Sequence, residues 1–136
     1  MIIGIMLETA VLRAQSAALL LRDTTFAILN AQLEVLEDPD NILTIEQVQQ
    51  RAFQPRHEMK FIFGYEHKTL WARFKMVNHA EHSKVFMAEV VNPFIPKLSC
   101  YQIGSDGGID TVFTTGAGFP FEQRPVERRN FMFPLR

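Results

Sequence analysis

His79-Ala80-Glu81-His82 is the nearest this chain comes to a metal-binding pattern. Two imidazoles three residues apart can share a helical face, and neutral imidazole is a common zinc ligand. The stretch falls instead between strand-like runs that end at Val77 and resume at Lys84. Polar residues are ordinary at such a hairpin tip, and the longer H-E-x-x-H pattern is missing. His57 and His67 bracket one strand-like run, roughly 30 Å apart at about 3.3 Å per residue. The sequence therefore predicts no metal site and no cofactor.

Gly104-Ser105-Asp106-Gly107-Gly108 with Asp110 has the composition of an anion or calcium loop. A phosphate loop opens a helix, however, and residues 109–115 read as a strand. The acidic ladder and terminal Glu of a calcium loop are also missing, so a tight turn is the better reading. Gly116-Ala117-Gly118 reads the same way. Cys100 has apolar neighbours and no nearby His, as a packed thiol rather than a nucleophile does. Ser99 and Ser105 lack the setting of a nucleophile elbow. Phe61, Phe63, Tyr65, Trp71 and Phe74 alternate with Lys60, Arg73 and Lys75 and resemble a base-stacking sheet. The same alternation suits a core face, and nucleic acid is disfavoured by the charge balance.

The least ordinary residues lie in the last twenty-one, which hold four Phe, three Pro and four Arg. Phe119 and Phe121 flank Pro120, and Phe131 and Phe133 precede Pro134. Arg124, Arg128 and Arg129 stand between them. Proline opposes both helix and central strand, so 116–136 is expected to be an extended arm. Four Phe have consequences if left in water. The arm either folds over its own sheet or lies on a neighbour, with Phe as anchors and Arg as clamps. The partner-binding candidates are Phe119, Phe121, Arg124, Arg128, Arg129, Phe131 and Phe133.

The elements that would position these residues follow from the pattern. Residues 5–38 contain no proline or glycine and are rich in Ala and Leu from Met6 onward. They predict helix, as two segments broken at Asp23-Thr24-Thr25 or as one helix of about 50 Å. Two segments are favoured, because the break carries capping residues. Asp38-Pro39-Asp40-Asn41 is a turn, and Thr44 to Gln47 is a capping box opening a short helix toward Phe53. Strands are expected over 57–65, 70–76, 84–91, 98–103 and 109–115. The 84–91 run is apolar on both faces except Glu89 and reads as central. The sum is α+β: N-terminal helices (about 6–53) packed on an antiparallel meander (about 57–115) in one domain, 1–115, plus the arm.

A chain of 136 residues with 47% hydrophobic and 21% charged residues supports an ordinary core. A net charge of -1 offers no general attraction to nucleic acid or anionic membrane. One cysteine excludes an internal disulfide, and Met1 is followed by no basic leader region, so a cytoplasmic place is expected, or a particle assembled there. No membrane partner is expected. The leading functional reading is a non-enzymatic assembly subunit, such as a component of a viral particle, docking on protein subunits through its helices and arm. The alternatives are a small-ligand-binding or hydrolase/isomerase domain with a cone-shaped pocket, for which Asp110, His57 and Tyr101 are candidate polar groups, and a nucleic-acid-binding or regulatory module.

Overall fold

The computed structural model describes residues 2–9, 19–21, 33–56, 68–78 and 86–135. In chain order these form β1 (Ile2–Thr9), β2 (Leu19–Leu21), β3 (Glu34–Asp38), α1 (Ile45–Gln49), β4 (Gln54–Pro55), β5 (Thr69–Asn78), β6 (Phe86–Val90), β7 (Lys97–Ile103), β8 (Ile109–Thr115) and β9 (Phe131–Leu135). A 3-10 turn spans Phe121–Gln123.

The expected α+β fold gives way to a mostly β one. Within 6–38, residues 6–9 continue β1, 19–21 form β2 and 34–38 form β3. Residues 10–18 and 22–32 lie outside the described residues, as does the strand expected over 57–65. The physical reason lies in the pairing. β1 runs between β5 and β7 and is parallel to both. A parallel strand with layers on both faces reads as a continuous apolar run, which periodicity cannot separate from a buried helix.

The larger sheet has seven strands, in the order β4-β3-β5-β1-β7-β8, with β2 also on β5. It is not a meander: β7 and β8 form a hairpin, whereas β6 leaves the sheet and pairs with β9 in a two-stranded ribbon. The 84–91 run is therefore not central. Its Met87 is 40% exposed and Glu89 is exposed, while Phe86, Ala88 and Val90 turn inward.

Alternation along β5 sorts the two faces of the larger sheet. Leu70, Ala72, Phe74 and Met76 join Val35, Leu98 and Cys100 on one face, and the ribbon covers them with Phe131, Phe133 and Leu135. Phe113 and Phe133 meet with ring centroids 6.1 Å apart. The final strand of the expected arm, β9, lies over the chain's own sheet and completes the core. Pro134 is tolerated because a two-stranded ribbon is all edge.

On the opposite face, Thr69, Trp71 and Arg73 alternate with that core. The Arg73 Nε–H donates to Glu34 at 2.7 Å across the β3–β5 pair, and its guanidinium lies 4.1 Å from the Phe53 ring centroid. The ion pair offsets the cost of burying the Glu34 side chain. α1 covers this face, with Ile45 and Val48 against Trp71 and Ile103. Its start carries the expected capping box. The Thr44 N–H donates to Gln47 Oε1 at 3.0 Å, and the Gln47 N–H donates to Thr44 Oγ1 at 3.4 Å. The helix stops at Gln49, short of Phe53. Its far end is fastened by Gln49 Nε2, which donates to the Gly107 carbonyl at 3.0 Å in the β7–β8 turn.

One core group is out of place chemically. Thr115 is fully buried and its hydroxyl has no partner among the described residues. An unpaired buried hydroxyl costs about 1–3 kcal/mol. Thr115→Val, which keeps the shape, is expected to raise stability by about 1 kcal/mol in urea denaturation; a loss would show that the hydroxyl is satisfied in solution.

Candidate functional site

The cross-strand register builds a groove on the α1-covered face. One row across the sheet is Thr69–Ile2–Lys97, the next Trp71–Gly4–Ser99, and the third Arg73–Met6–Tyr101. Gly4, which has no side chain, is the β1 residue paired with both Trp71 and Ser99. A groove of about 340 Å³ opens here, walled by Trp71, Ser99 and Tyr101 and roofed by residues 43–46.

The roof is held by Asp38. Its carboxylate accepts from the N–H groups of Ile42 (3.2 Å) and Leu43 (3.0 Å), which fixes the strap leading into α1. This is the turn expected at 38–41, with Asn41 at φ 56°. The Thr69 hydroxyl donates to Asn41 Oδ1 at 2.6 Å, and the Ser99 and Thr114 hydroxyls share a 3.1 Å bond. Trp71 and Tyr101 form a tilted aromatic pair with centroids 5.9 Å apart. The Trp71 indole N–H is buried and has no acceptor among the described residues. At the rim, Lys97 is exposed, and Glu46 is held below the usual carboxylate range by hydrogen bonds from its backbone and from Thr44.

This arrangement suits binding. Cys100 points to the other face, and burial pushes its thiol up to about 12. Among the described residues no group of three His, Cys, Asp or Glu could hold a metal ion. The Cys100 shift has a signed consequence. The folded value lies above the ordinary 9.0, so its contribution to stability is intact below pH 9 and is lost as pH rises toward 12. Stability is expected to fall by about 1 kcal/mol per pH unit over that window from this group. Cys100→Ala should show a shallower alkaline loss in urea denaturation near pH 8 and about pH 10; identical slopes would contradict the assignment.

The residues expected to bind a partner divide between the core and the surface. Phe131 and Phe133 fill the core, at 1% and 0% exposure, and Phe119 is half-buried. Phe121, Arg128 and Arg129 face solvent. Arg124 is used internally, donating to the carbonyls of Arg128 (2.6 Å) and Arg129 (3.0 Å). Asp110 is exposed beside the β7–β8 turn, Tyr101 lines the groove, and His57, His67, His79 and His82 lie outside the described residues. Gly104–Gly108 is a turn, with Gly104 N–H on the Gly108 carbonyl at 2.8 Å and Asp106 accepting from Gly108 N–H at 2.9 Å. Sequence reasoning missed Trp71, Ser99 and Lys97 as neighbours. The available signal was a lone Trp on the otherwise polar face of β5.

Residues 30–136 match the model of the family 7TMR-DISM extracellular 2. The chain belongs to this family. The match spans β3 through β9, and with them the groove residues from Asp38 to Tyr101. The 7TMR-DISM extracellular 2 family is an extracellular domain of 7TMR-DISM receptors, which overturns the expected cytoplasmic or virion location. A single thiol reports only that disulfide staples are missing, and a well-filled core does not need them. No curated protein and no solved structure gives a significant match. Among the described residues no helix is long and apolar enough to cross a membrane.

Proposed function

We propose that this chain is a ligand-sensing domain working outside the cell. It takes a small hydroxylated ligand with one apolar face in the groove over Trp71 and Tyr101. The observation that carries this reading is the buried Trp71 indole N–H without an acceptor, set beside a second aromatic ring. An unpaired buried donor costs about 1–3 kcal/mol, which an incoming acceptor recovers. The groove volume falls at the small end of the range for ligand sites, about 300–1,000 Å³. The apolar ligand face lies on the Trp71–Tyr101 pair, and Lys97 and Ser99 are the nearest polar groups on β7.

Family membership supports the extracellular setting, and the groove supports binding rather than turnover. The test is calorimetric titration with neutral monosaccharides as probes. Binding to the native chain should weaken about tenfold in Tyr101→Ala, from loss of one aromatic contact. Equal affinity in the two chains would remove the groove from consideration.

A further inference from the structure

Five side chains that the core does not use gather at one end of the molecule. Val91 and Phe94, on the connection from β6 to β7, are 76% and 78% exposed, and Phe121 is 45% exposed. Val90 pairs with Phe131, so the chain running past Val90 leaves the ribbon beside the residues leading into β9. Those residues include Arg128 and Arg129. The Ala117 N–H donates to the Ile95 carbonyl at 2.8 Å and the Gly118 N–H to the Pro96 carbonyl at 3.1 Å. These bonds hold the 91–96 connection against the turn that leads to Phe121. Arg124 closes the group, its guanidinium 4.9 Å from the Phe121 centroid and 4.8 Å from that of Phe131.

Charge of both signs faces solvent at this end, with Glu89, Glu122 and Glu127 near the arginines. Arg128 and Arg129 are exposed, and their side chains make no ion pair or hydrogen bond among the described residues. They border a cleft of about 450 Å³ with Asn130 and Met132. The Glu89 carboxylate at the same cleft accepts from Asn130 Nδ2 at 2.7 Å. Single exposed apolar residues are ordinary. Two of them, more than three-quarters exposed on one connection and near two guanidinium groups that have no side-chain partner among the described residues, are a surface with a use.

We infer that this end docks on an anionic phospholipid surface. Phe94 and Val91 enter the interfacial layer, and Arg128 and Arg129 meet lipid phosphates. A protruding aromatic suits the membrane interface, which needs no matching pocket. Guanidinium groups bind phosphate in bidentate fashion. An extracellular domain of a receptor works beside a membrane, and the inference rests on that placement. It is independent of the groove over Trp71, and its contact is peripheral.

The experiment is co-sedimentation of the full chain with vesicles of phosphatidylcholine alone and of phosphatidylcholine containing phosphatidylglycerol. Binding is expected only with phosphatidylglycerol and should fall as salt is added. Arg128→Gln/Arg129→Gln should weaken it about thirtyfold, from two charges near an anionic surface. Val91→Ser/Phe94→Ser should also release the chain. Both pairs are exposed, so unchanged melting temperatures will show the fold intact. No binding to phosphatidylglycerol vesicles, or binding that neither double variant alters, overturns the inference. An oligomer in light scattering that Val91→Ser/Phe94→Ser dissolves would overturn it as well, by assigning the surface to a second copy. Sugar titrations of the same variants keep a failure here separate from a failure of the ligand groove.

Discussion

A chain ending at Gly116 is expected to lose cooperative folding. The deletion removes β9, and with it Phe131, Phe133 and Leu135, all buried at 5% exposure or less. It leaves β6 without its ladder partner and uncovers the face formed by Leu70, Phe74, Met76 and Leu98. Truncating one buried Phe to Ala costs about 3–5 kcal/mol. Losing two Phe and a Leu together removes about 8–15 kcal/mol, comparable with the roughly 5–15 kcal/mol that holds a domain of this kind. Urea unfolding followed by circular dichroism should show no cooperative transition for the shortened chain. Phe133→Ala in the full chain should keep the transition and lose about 4 kcal/mol. A shortened chain that melts like the native one would mean that the ribbon is an appendage.

Gly116→Ala is expected to be the most damaging single methyl group. Gly116 adopts φ +150°, and a Cβ there would stand 2.1 Å from the Pro96 carbonyl oxygen and 2.8 Å from Lys97 Cα. Those atoms are backbone, and they cannot swing aside as a side chain could. The bonds from Ala117 and Gly118 to the Ile95 and Pro96 carbonyls fix the two segments against each other. Backbone strain of this kind together with forced separation costs about 3 kcal/mol or more. That corresponds to a fall of roughly 10 °C in melting temperature for a chain of this size. Gly107 is the internal control. It has φ +83° but nothing within 4 Å of a would-be Cβ, so Gly107→Ala should cost only about 1 kcal/mol. Equal effects at the two positions would show that conformation alone, not the Pro96 contact, sets the cost.

Much of the local structure was legible. The Asp38–Asn41 turn, the Thr44–Gln47 capping box and the β7–β8 hairpin depend on residues close in sequence, and their side chains state the geometry directly. The alternation of β5 was equally plain. β1 and β3 were not. Residues 1–5 suit a short strand or a helix start, 6–38 have helical spacing, and only long-range pairing of β1 with β5 and β7 and of β3 with β5 decides for strand. The last strand was legible as alternating Phe131 and Phe133, but three prolines directed attention to an arm. The groove was the least legible part. Trp71, Gly4 and Ser99 become neighbours only when parallel pairing brings β5, β1 and β7 into register, and no local pattern encodes that order.

The central claim, that the groove over Trp71 receives a ligand, has a direct reporter. Trp71 is the chain's single tryptophan, so its emission reads this site alone. Titration of the native chain with neutral monosaccharides should produce a saturable change in Trp71 emission for at least one probe. That change should be lost in Tyr101→Ala and kept in Val91→Ser/Phe94→Ser. If no probe in the panel alters Trp71 emission, or if the response survives Tyr101→Ala unchanged, the groove is not the ligand site.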